Sequence, residues 1–499
     1  MLLRPAPPLR RRLSLALSLA GAVALASPLV ASANAQLTRI AVDPFMNATS
    51  QHKTIVEPDT YSFGSTIVAA AQFGRFFDGG SSDIGFATST NNGSTWISGT
   101  LPGITKLVGG IYDRVSDPSV AYDAKHNVWL VSSLALLGTS GAAVLTSRST
   151  SGGLTWTNPV TTAAAGRRQD LDKNWIVCDN TPSSPFYGSC YTQYDDFGSG
   201  NALHMSYSRD GGLTWTESKV PRVGVIGGQP VVQPNGTVVV PIDNASSTAL
   251  GYTVSTDGGR RFGKAFVITP ITAAQDPGDI RSGPLPSAEI SGDGRIYVVW
   301  EDCRFRSGCP AAGTPNDLVY VTSSNGTTWS AVQRIPIDAV TRTVDHFIPG
   351  VAVDRNTSGA GIHVGVTYYY YPNTNCTPAT CQLFTGYVSS ANGGASWSAP
   401  TQLAGPMTMS WLPDTSQGRM VGDYISTSFS NGLAYPAVAV ANPPTAGGSD
   451  CATATPNCDQ ALYSASPGLP ATGGAVVAND PVVFTGTVSP GASAFKHRH

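Results

Sequence analysis

Hydrophobic positions in this chain come in short runs. Ile84-Gly-Phe-Ala-Thr88, Ala143-Val-Leu-Thr146, Leu203-His-Met-Ser-Tyr207, Leu250-Gly-Tyr-Thr-Val254, Leu318-Val-Tyr-Val321 and Phe384-Thr-Gly-Tyr-Val388 are strand-like segments bounded by polar turns. Upstream of such a run lies a further pair of runs with a tight connector between them. Pro286-Ser-Ala-Glu-Ile-Ser-Gly-Asp-Gly-Arg-Ile-Tyr-Val-Val-Trp300 is the clearest. Others are Pro118–Tyr122 with Val128–Val131, Pro230–Gln233 with Thr237–Val240, and Pro349–Val353 with Ile362–Thr367. Short alternating runs with Gly-containing connectors predict β-hairpins. Each unit therefore reads as a four-stranded antiparallel meander.

A phrase recurs after the third run of each unit. It is Ser89-Thr-Asn-Asn-Gly-Ser-Thr-Trp96, Ser149-Thr-Ser-Gly-Gly-Leu-Thr-Trp156, Ser208-Arg-Asp-Gly-Gly-Leu-Thr-Trp215, Ser255-Thr-Asp-Gly-Gly-Arg-Arg-Phe262, Thr322-Ser-Ser-Asn-Gly-Thr-Thr-Trp329 and Ser390-Ala-Asn-Gly-Gly-Ala-Ser-Trp397. Its aromatic residues are spaced 47 to 68 residues apart, which indicates a repeat architecture. The phrase predicts the turn between strands three and four. Gly supplies a left-handed backbone, Ser, Asp or Asn bonds the turn backbone, and the aromatic packs between sheets. The polar position five before the aromatic varies (Asn91, Ser151, Asp210, Asp257, Ser324, Asn392), as a structural site can and a catalytic carboxylate cannot. A seventh unit, Val421–Ser428, Ala434–Val440 and Ala461–Ala465, lacks the phrase. The expected fold is an all-β propeller of four-stranded antiparallel blades: seven blades, closed by Leu37–Val42 or Val482–Gly486, with six as the fallback.

Composition fits many short strands: Gly (54) and Pro (36) are frequent and charged residues make up only 12%. Residues 1–35 read as a leader, with a basic start at Arg4 and Arg10–Arg12, an apolar stretch Leu13–Val30 and the small-residue site Ala33-Asn-Ala35. Residues 36–490 then form a single propeller domain and 491–499 a tail. The chain is expected to be secreted. Of 30 Lys and Arg, four lie in the leader, against 32 Asp and Glu, so the mature chain has no general attraction for nucleic acid. No later apolar run is long enough for membrane insertion. Leu469-Pro-Ala-Thr-Gly473 matches a cell-wall sorting pentapeptide, but the segment after it carries Asp480, Pro481 and Pro490, so anchoring is not expected.

Eight cysteines fall into four close pairs, Cys178/Cys190, Cys303/Cys309, Cys376/Cys381 and Cys451/Cys458. Export implies an oxidising compartment and four local disulfides. Three of them, Cys303/Cys309, Cys376/Cys381 and Cys451/Cys458, fall in loops between strands two and three, where they are expected to stiffen a functional rim. None of the pairs has zinc-ligand spacing, so no metal and no cofactor are expected.

The repeated phrase resembles the Asp-box, or BNR repeat, of the sialidase superfamily, over about residues 50 to 465. The resemblance implies a carbohydrate-active propeller whose site lies opposite the boxes, where first strands begin. Charged residues gather at those beginnings: Glu57 and Asp59; Tyr112-Asp-Arg114 and Asp117; Asp172-Lys173; Arg281; Asp345-His346; Arg419 with Asp423-Tyr424; the polar Gln229 joins them. Sialidases grip a substrate carboxylate with three arginines, a role the resemblance offers to Arg114, Arg281 and Arg419, with His346 and Asp423 beside them. They use Tyr as nucleophile with Glu beside it and Asp as acid/base, which points to Tyr424, Glu289 and either Asp59 or Asp117. Glu289 interrupts an apolar first strand, where a charge needs a partner. The plainer reading is that each arginine pairs with a neighbour such as Asp113, Asp279 or Asp423.

This chain departs from the sialidase pattern in two places. Its Arg334-Ile-Pro336 follows the fifth box, whereas the sialidase Arg-Ile-Pro phrase precedes the first. A seventh blade is one more than the sialidase ring has. The expected activity is exo-sialidase-type hydrolysis of an acidic glycan by a monomer. Alternatives are a uronate lyase, with Arg114 or Arg281 neutralising the carboxylate and His346, Tyr424 or Lys173 as base, and a non-catalytic carbohydrate- or protein-binding propeller.

Overall fold

A computed structural model describes residues 36–444, 450–451 and 458–473. The expected leader, the strand Val482–Gly486 and the tail lie outside the described residues. The chain is all-β, built of four-stranded antiparallel sheets and a few single-turn 3-10 segments. No helix among the described residues is long and apolar enough to cross a membrane.

The sheets follow one another as meanders, an arrangement consistent with a propeller. The second unit is typical: Arg114–Asp123, Val128–Leu137, Ser140–Ser149 and Val160–Ala164 pair in chain order. The other first strands begin at Ile55, Leu171, Val225, Ser287, Asp345 and Ser426. First strands therefore begin on one face, here the leading face, which also carries the loops between strands two and three. The turns between strands one and two and the boxes lie on the opposite face.

The last unit explains its missing box. Ser426–Ser430, Leu433–Ala441 and Gln460–Ala465 supply three strands, and Leu37–Ala41 from the other end of the chain pairs with Gln460–Ala465 as the fourth. No turn joins its third strand to its fourth, so there is nowhere for a box. Leu469 and Pro470 of the sorting-type pentapeptide pair with Ala434 and Leu433, and Ser389 Oγ bonds Thr472 N at 3.0 Å, so that segment is built into the sheet.

Each box is a hydrogen-bonded turn. Ser89, Ser149, Ser208, Ser255 and Ser390 accept the N–H of the Gly four residues on, at 2.9–3.0 Å. Asn91, Ser151, Asp210, Asp257 and Asn392 accept the N–H four beyond themselves, at 2.9–3.0 Å. The fifth box differs from the expected register. Ser323, not Thr322, accepts Gly326 N at 2.9 Å, and Asn325, not Ser324, accepts the N–H groups of Thr327 and Thr328. The turn is one residue tighter there, so its anchors move by one.

Box aromatics reach the preceding sheet: Trp156 packs on Phe86, Trp329 on Tyr252 and Trp397 on Tyr320, with ring centroids 5.6–5.8 Å apart. They close inter-sheet cores such as Tyr297, Val299, Val351, Val364 and Val366.

The four disulfides form as paired: Cys178–Cys190, Cys303–Cys309, Cys376–Cys381 and Cys451–Cys458. Cys178–Cys190 staples the hairpin of the third unit. Cys303–Cys309, Cys376–Cys381 and Cys451–Cys458 cross loops on the leading face between strands two and three, in the fifth, sixth and last units.

Candidate functional site

Five of the seven first strands share a distortion near their start. In the first unit Val56 faces Gln72 but Asp59 faces Ala70, so one extra residue sits on the first strand. The same slip occurs between Ser116 and Ser119, Asp172 and Trp175, and Phe347 and Gly350. A bulge of this kind re-aims a side chain. At each one a non-glycine residue adopts a left-handed backbone: Glu57 (φ 51°), Asp117 (φ 50°), Lys173 (φ 50°) and Ile348 (φ 48°). Gly227 holds the corresponding place in the fourth unit at φ 95°. Such conformations cost on the order of 1–3 kcal/mol each and collect where function requires them.

Three of these bulges bring charge together. Asp423 lies between two cations: Arg281 donates from Nε to Oδ1 at 2.6 Å and from Nη2 to Oδ2 at 2.5 Å, and Lys173 Nζ donates to Oδ2 at 2.5 Å. All three side chains are only 11–16% exposed. Glu57 accepts Gln72 Nε2 on one oxygen and Asp423 N at 3.4 Å on the other. Gln72 also accepts from Arg75 Nη1 at 2.8 Å and donates to Ser116 Oγ at 3.0 Å, and Ser116 donates to Asp117 Oδ1 at 2.7 Å. Asp117 Oδ2 accepts the backbone N–H of Lys173 at 3.1 Å. Tyr424, buried, donates its hydroxyl to Pro118 O at 3.1 Å and meets Trp175 edge-on at 5.0 Å.

The shared burial separates the protonation states. Burial, then Asp117 and Asp423, push the Glu57 carboxyl up to about 8 despite Lys173 and Arg281. Burial also raises Asp423, but Arg281 and Lys173 outweigh it and hold this carboxyl well below the usual range. Lys173 and Arg281 are pulled down by burial and lifted further by Asp423, so both stay charged. Burial, then Arg281, lowers Arg75 to about 10. Burial, then Asp117, raises Asp172 to about 6, and burial raises Asp59 to about 7 although it accepts Val120 N at 2.6 Å. Tyr424 is held well above its ordinary value by burial, then by Glu57 and Asp117. A cavity of about 30 Å³ opens beside Asp117, Lys173, Trp175, Gln229 and Tyr424, enough for one or two waters.

The remaining sequence-selected residues lie elsewhere. Arg114 pairs with Asp78, not Asp113, and lies 4.5 Å over the Phe76 ring. Arg419 turns its guanidinium to Asp450 at 2.8 and 2.9 Å. Only its backbone reaches the cluster, where its C=O accepts Arg281 N at 2.7 Å. A three-arginine grip on one carboxylate is therefore not assembled from Arg114, Arg281 and Arg419. Arg281 alone of the three stands at the cluster, with Lys173 as the second cation. His346 is buried between Tyr368 and Tyr370, its Nδ1 3.3 Å from Asn316 O. Glu289 pairs with Arg355 at 3.0 Å and lines a different cavity.

The cysteines brace the fold. None of the eight lines the small cavity beside Tyr424. Cys303 and Cys309 lie against Thr272, whose carbonyl oxygen is 2.8 and 3.3 Å from their sulfurs. Cys381 is buried in the core with Ile280 and Tyr371, and Cys376 packs against the same cluster. Cys451 and Cys458 are both buried, beside the Asp450 that holds Arg419. Ile280, packed with Cys381, precedes Arg281 in the chain, and Arg419, held by Asp450, accepts Arg281 N on its carbonyl.

Asp317, Asp338 and His346 offer atoms close enough together to ligate a metal ion. Both carboxylates are already held by guanidinium groups, Arg306 and Arg334, at 2.5–2.7 Å, so the chemistry of the donor set is that of a buried ion quartet.

Sequence reasoning passed over Gln72 and Arg75. The available signal was a polar and a charged residue in the otherwise apolar strand Thr66–Arg75.

No family model and no curated protein match this chain. Solved structures similar to it include several sialidases. A Hadza microbial sialidase is 17% identical with a TM-score of 0.44, over 64% of this chain and 64% of its own length. Leech intramolecular trans-sialidase, in complex with 2,7-anhydro-Neu5Ac, is 12% identical with a TM-score of 0.46, over 68% of this chain and 67% of its own. An α-L-arabinofuranosidase from Fusarium graminearum is 13% identical with a TM-score of 0.43, over 70% of this chain and 92% of its own.

Proposed function

We propose that this chain is an exported, seven-bladed propeller that hydrolyses an acidic glycan by an exo-sialidase type of reaction at the leading face. The observation that carries the reading is the pairing of Glu57 with Asp423, whose backbone N–H donates to the Glu57 carboxyl at 3.4 Å. These two neighbouring carboxyls are pushed in opposite directions, one protonated and one ionised at neutral pH. Paired groups split in this way supply an acid and a charge stabiliser from one site.

In this mechanism a substrate carboxylate lies above the small cavity, against Lys173 and the Arg281 nitrogen that Asp423 leaves free. Asp423 keeps both cations charged and fixed. Glu57 donates its proton to the departing glycosidic oxygen. Tyr424 attacks the anomeric carbon and passes its phenolic proton to Asp117. Water then releases the sugar, its proton returning to Glu57 and the phenol recovering its own. Asp59 sits within electrostatic reach of Tyr424 and supports its protonated resting state.

The test is to offer purified protein a fluorogenic α-sialoside and, separately, an unsaturation assay on uronate oligosaccharides. The proposal expects sialoside turnover that falls at least about 100-fold in Tyr424→Phe. New absorbance at about 235 nm from the uronate would instead mark β-elimination by a lyase. Saturable glycan binding with neither signal would mark a non-catalytic propeller.

A further inference from the structure

A second cavity lies at the box face, away from the Asp423 cluster. It measures about 480 Å³, a volume typical of small-molecule sites. The ends of the first strands of six units form its wall, including Tyr61, Phe63, Pro234, Glu289, Arg355 and Phe429.

Two of these side chains are charged and unlike the rest of the wall. Arg355 lies 4.4 Å over the Tyr61 ring and donates from Nη2 to Glu289 Oε2 at 3.0 Å. Their side chains remain 35% and 24% exposed, and both residues line the cavity. The third charged lining residue, Asp354, is buried and accepts both Asn356 N and Asn356 Nδ2. The exposed polar groups are thus a carboxyl, pushed up to about 8 by burial and then by Asp59, and a guanidinium side by side. A cation meets the Arg355 guanidinium. A neutral ligand with a donor and an acceptor on adjacent atoms satisfies both. A vicinal diol does this, one hydroxyl donating to Glu289 and its neighbour accepting from Arg355. Around the pair, Phe63 is 43% exposed and braced on Tyr122 with ring centroids 4.4 Å apart, an apolar platform of the size of a pyranose face.

From this arrangement we propose a second, non-catalytic saccharide site in the box-face cavity. It takes a neutral pyranose whose vicinal hydroxyls bridge Glu289 and Arg355. The site does not depend on hydrolysis at the leading face, and one chain would hold two parts of a glycan, or two glycans, at opposite ends of its first strands.

Calorimetric titration of the full protein with methyl β-D-galactopyranoside, methyl β-D-glucopyranoside and methyl α-D-mannopyranoside tests it. At least one should bind saturably with a dissociation constant of about 1 mM. Glu289→Gln and Arg355→Lys should each weaken that binding about tenfold. Tyr424→Phe, at the other end, should leave it unchanged, so loss of turnover and loss of this site are told apart. Absence of saturable binding by all three pyranosides up to about 50 mM overturns the proposal. So does binding that survives both variants, or competition by free N-acetylneuraminic acid.

Discussion

Glu57→Gln removes the titration of one buried carboxyl while keeping its shape and one of the two hydrogen bonds it accepts, from Gln72 or from Asp423 N. The folded protein holds this carboxyl at about 8 against an ordinary 4.5. A carboxyl raised on folding binds its proton more tightly in the native state. Its contribution to stability is complete below pH 4.5 and lost as pH rises through 8. The interval corresponds to about 5 kcal/mol at full extent, an upper figure because relaxation and water entry at high pH reduce it. Between about pH 5 and pH 9 the wild type should lose about 3 kcal/mol relative to Glu57→Gln. The assay is chemical denaturation of both proteins at about pH 5, 7 and 9. Taking the difference between them cancels Asp59 and Asp172, which titrate over the same range. A stability difference that stays flat with pH refutes a raised Glu57, and with it the acid assigned to the proposed reaction.

Asp423→Asn leaves Lys173 and Arg281 buried without their anion and should cost about 3–5 kcal/mol, read by urea unfolding at neutral pH. Ser390→Ala removes the acceptor of Gly394 N and the donor to Asn392, and should cost about 1–2 kcal/mol without changing turnover, because the box lies on the face away from Tyr424. Deleting residues 37–41 takes the fourth strand from the last sheet and exposes the edge of Gln460–Ala465; the deletion variant should aggregate on concentration, as followed by light scattering.

The architecture was legible because its signal is local and repeated. Six Ser- or Thr-to-aromatic phrases mark six turns, and the missing seventh has a long-range cause, the fourth strand arriving from Leu37–Ala41 at the other end of the chain. The disulfides were legible for the same reason, each joining cysteines 5 to 12 residues apart. The cluster was legible only in part. Glu57, Asp117, Lys173, Arg281, Asp423 and Tyr424 stand out as charged or polar positions at strand beginnings, but their partners do not. Asp423 is 250 residues from Lys173 and 142 from Arg281, so the choice of Arg281 over Arg114 and Arg419 is set by how distant sheets meet. The bulges were also hidden. Glu57 and Asp117 precede Pro58 and Pro118, and a residue before proline is biased toward extended backbone, not the left-handed one found. Arg355 gave no signal at all, because its partner Glu289 and its ring, Tyr61, come from other units.

The central claim is hydrolysis of an acidic glycan at the Asp423 cluster. It is tested most directly by the rate of fluorogenic α-sialoside hydrolysis by wild type, Arg281→Ala and Glu289→Gln, side by side. The account predicts turnover by wild type, a loss of at least about 100-fold in Arg281→Ala, and near wild-type rates in Glu289→Gln. Folded wild-type protein that releases no fluorophore, or an Arg281→Ala variant as active as wild type, would contradict it.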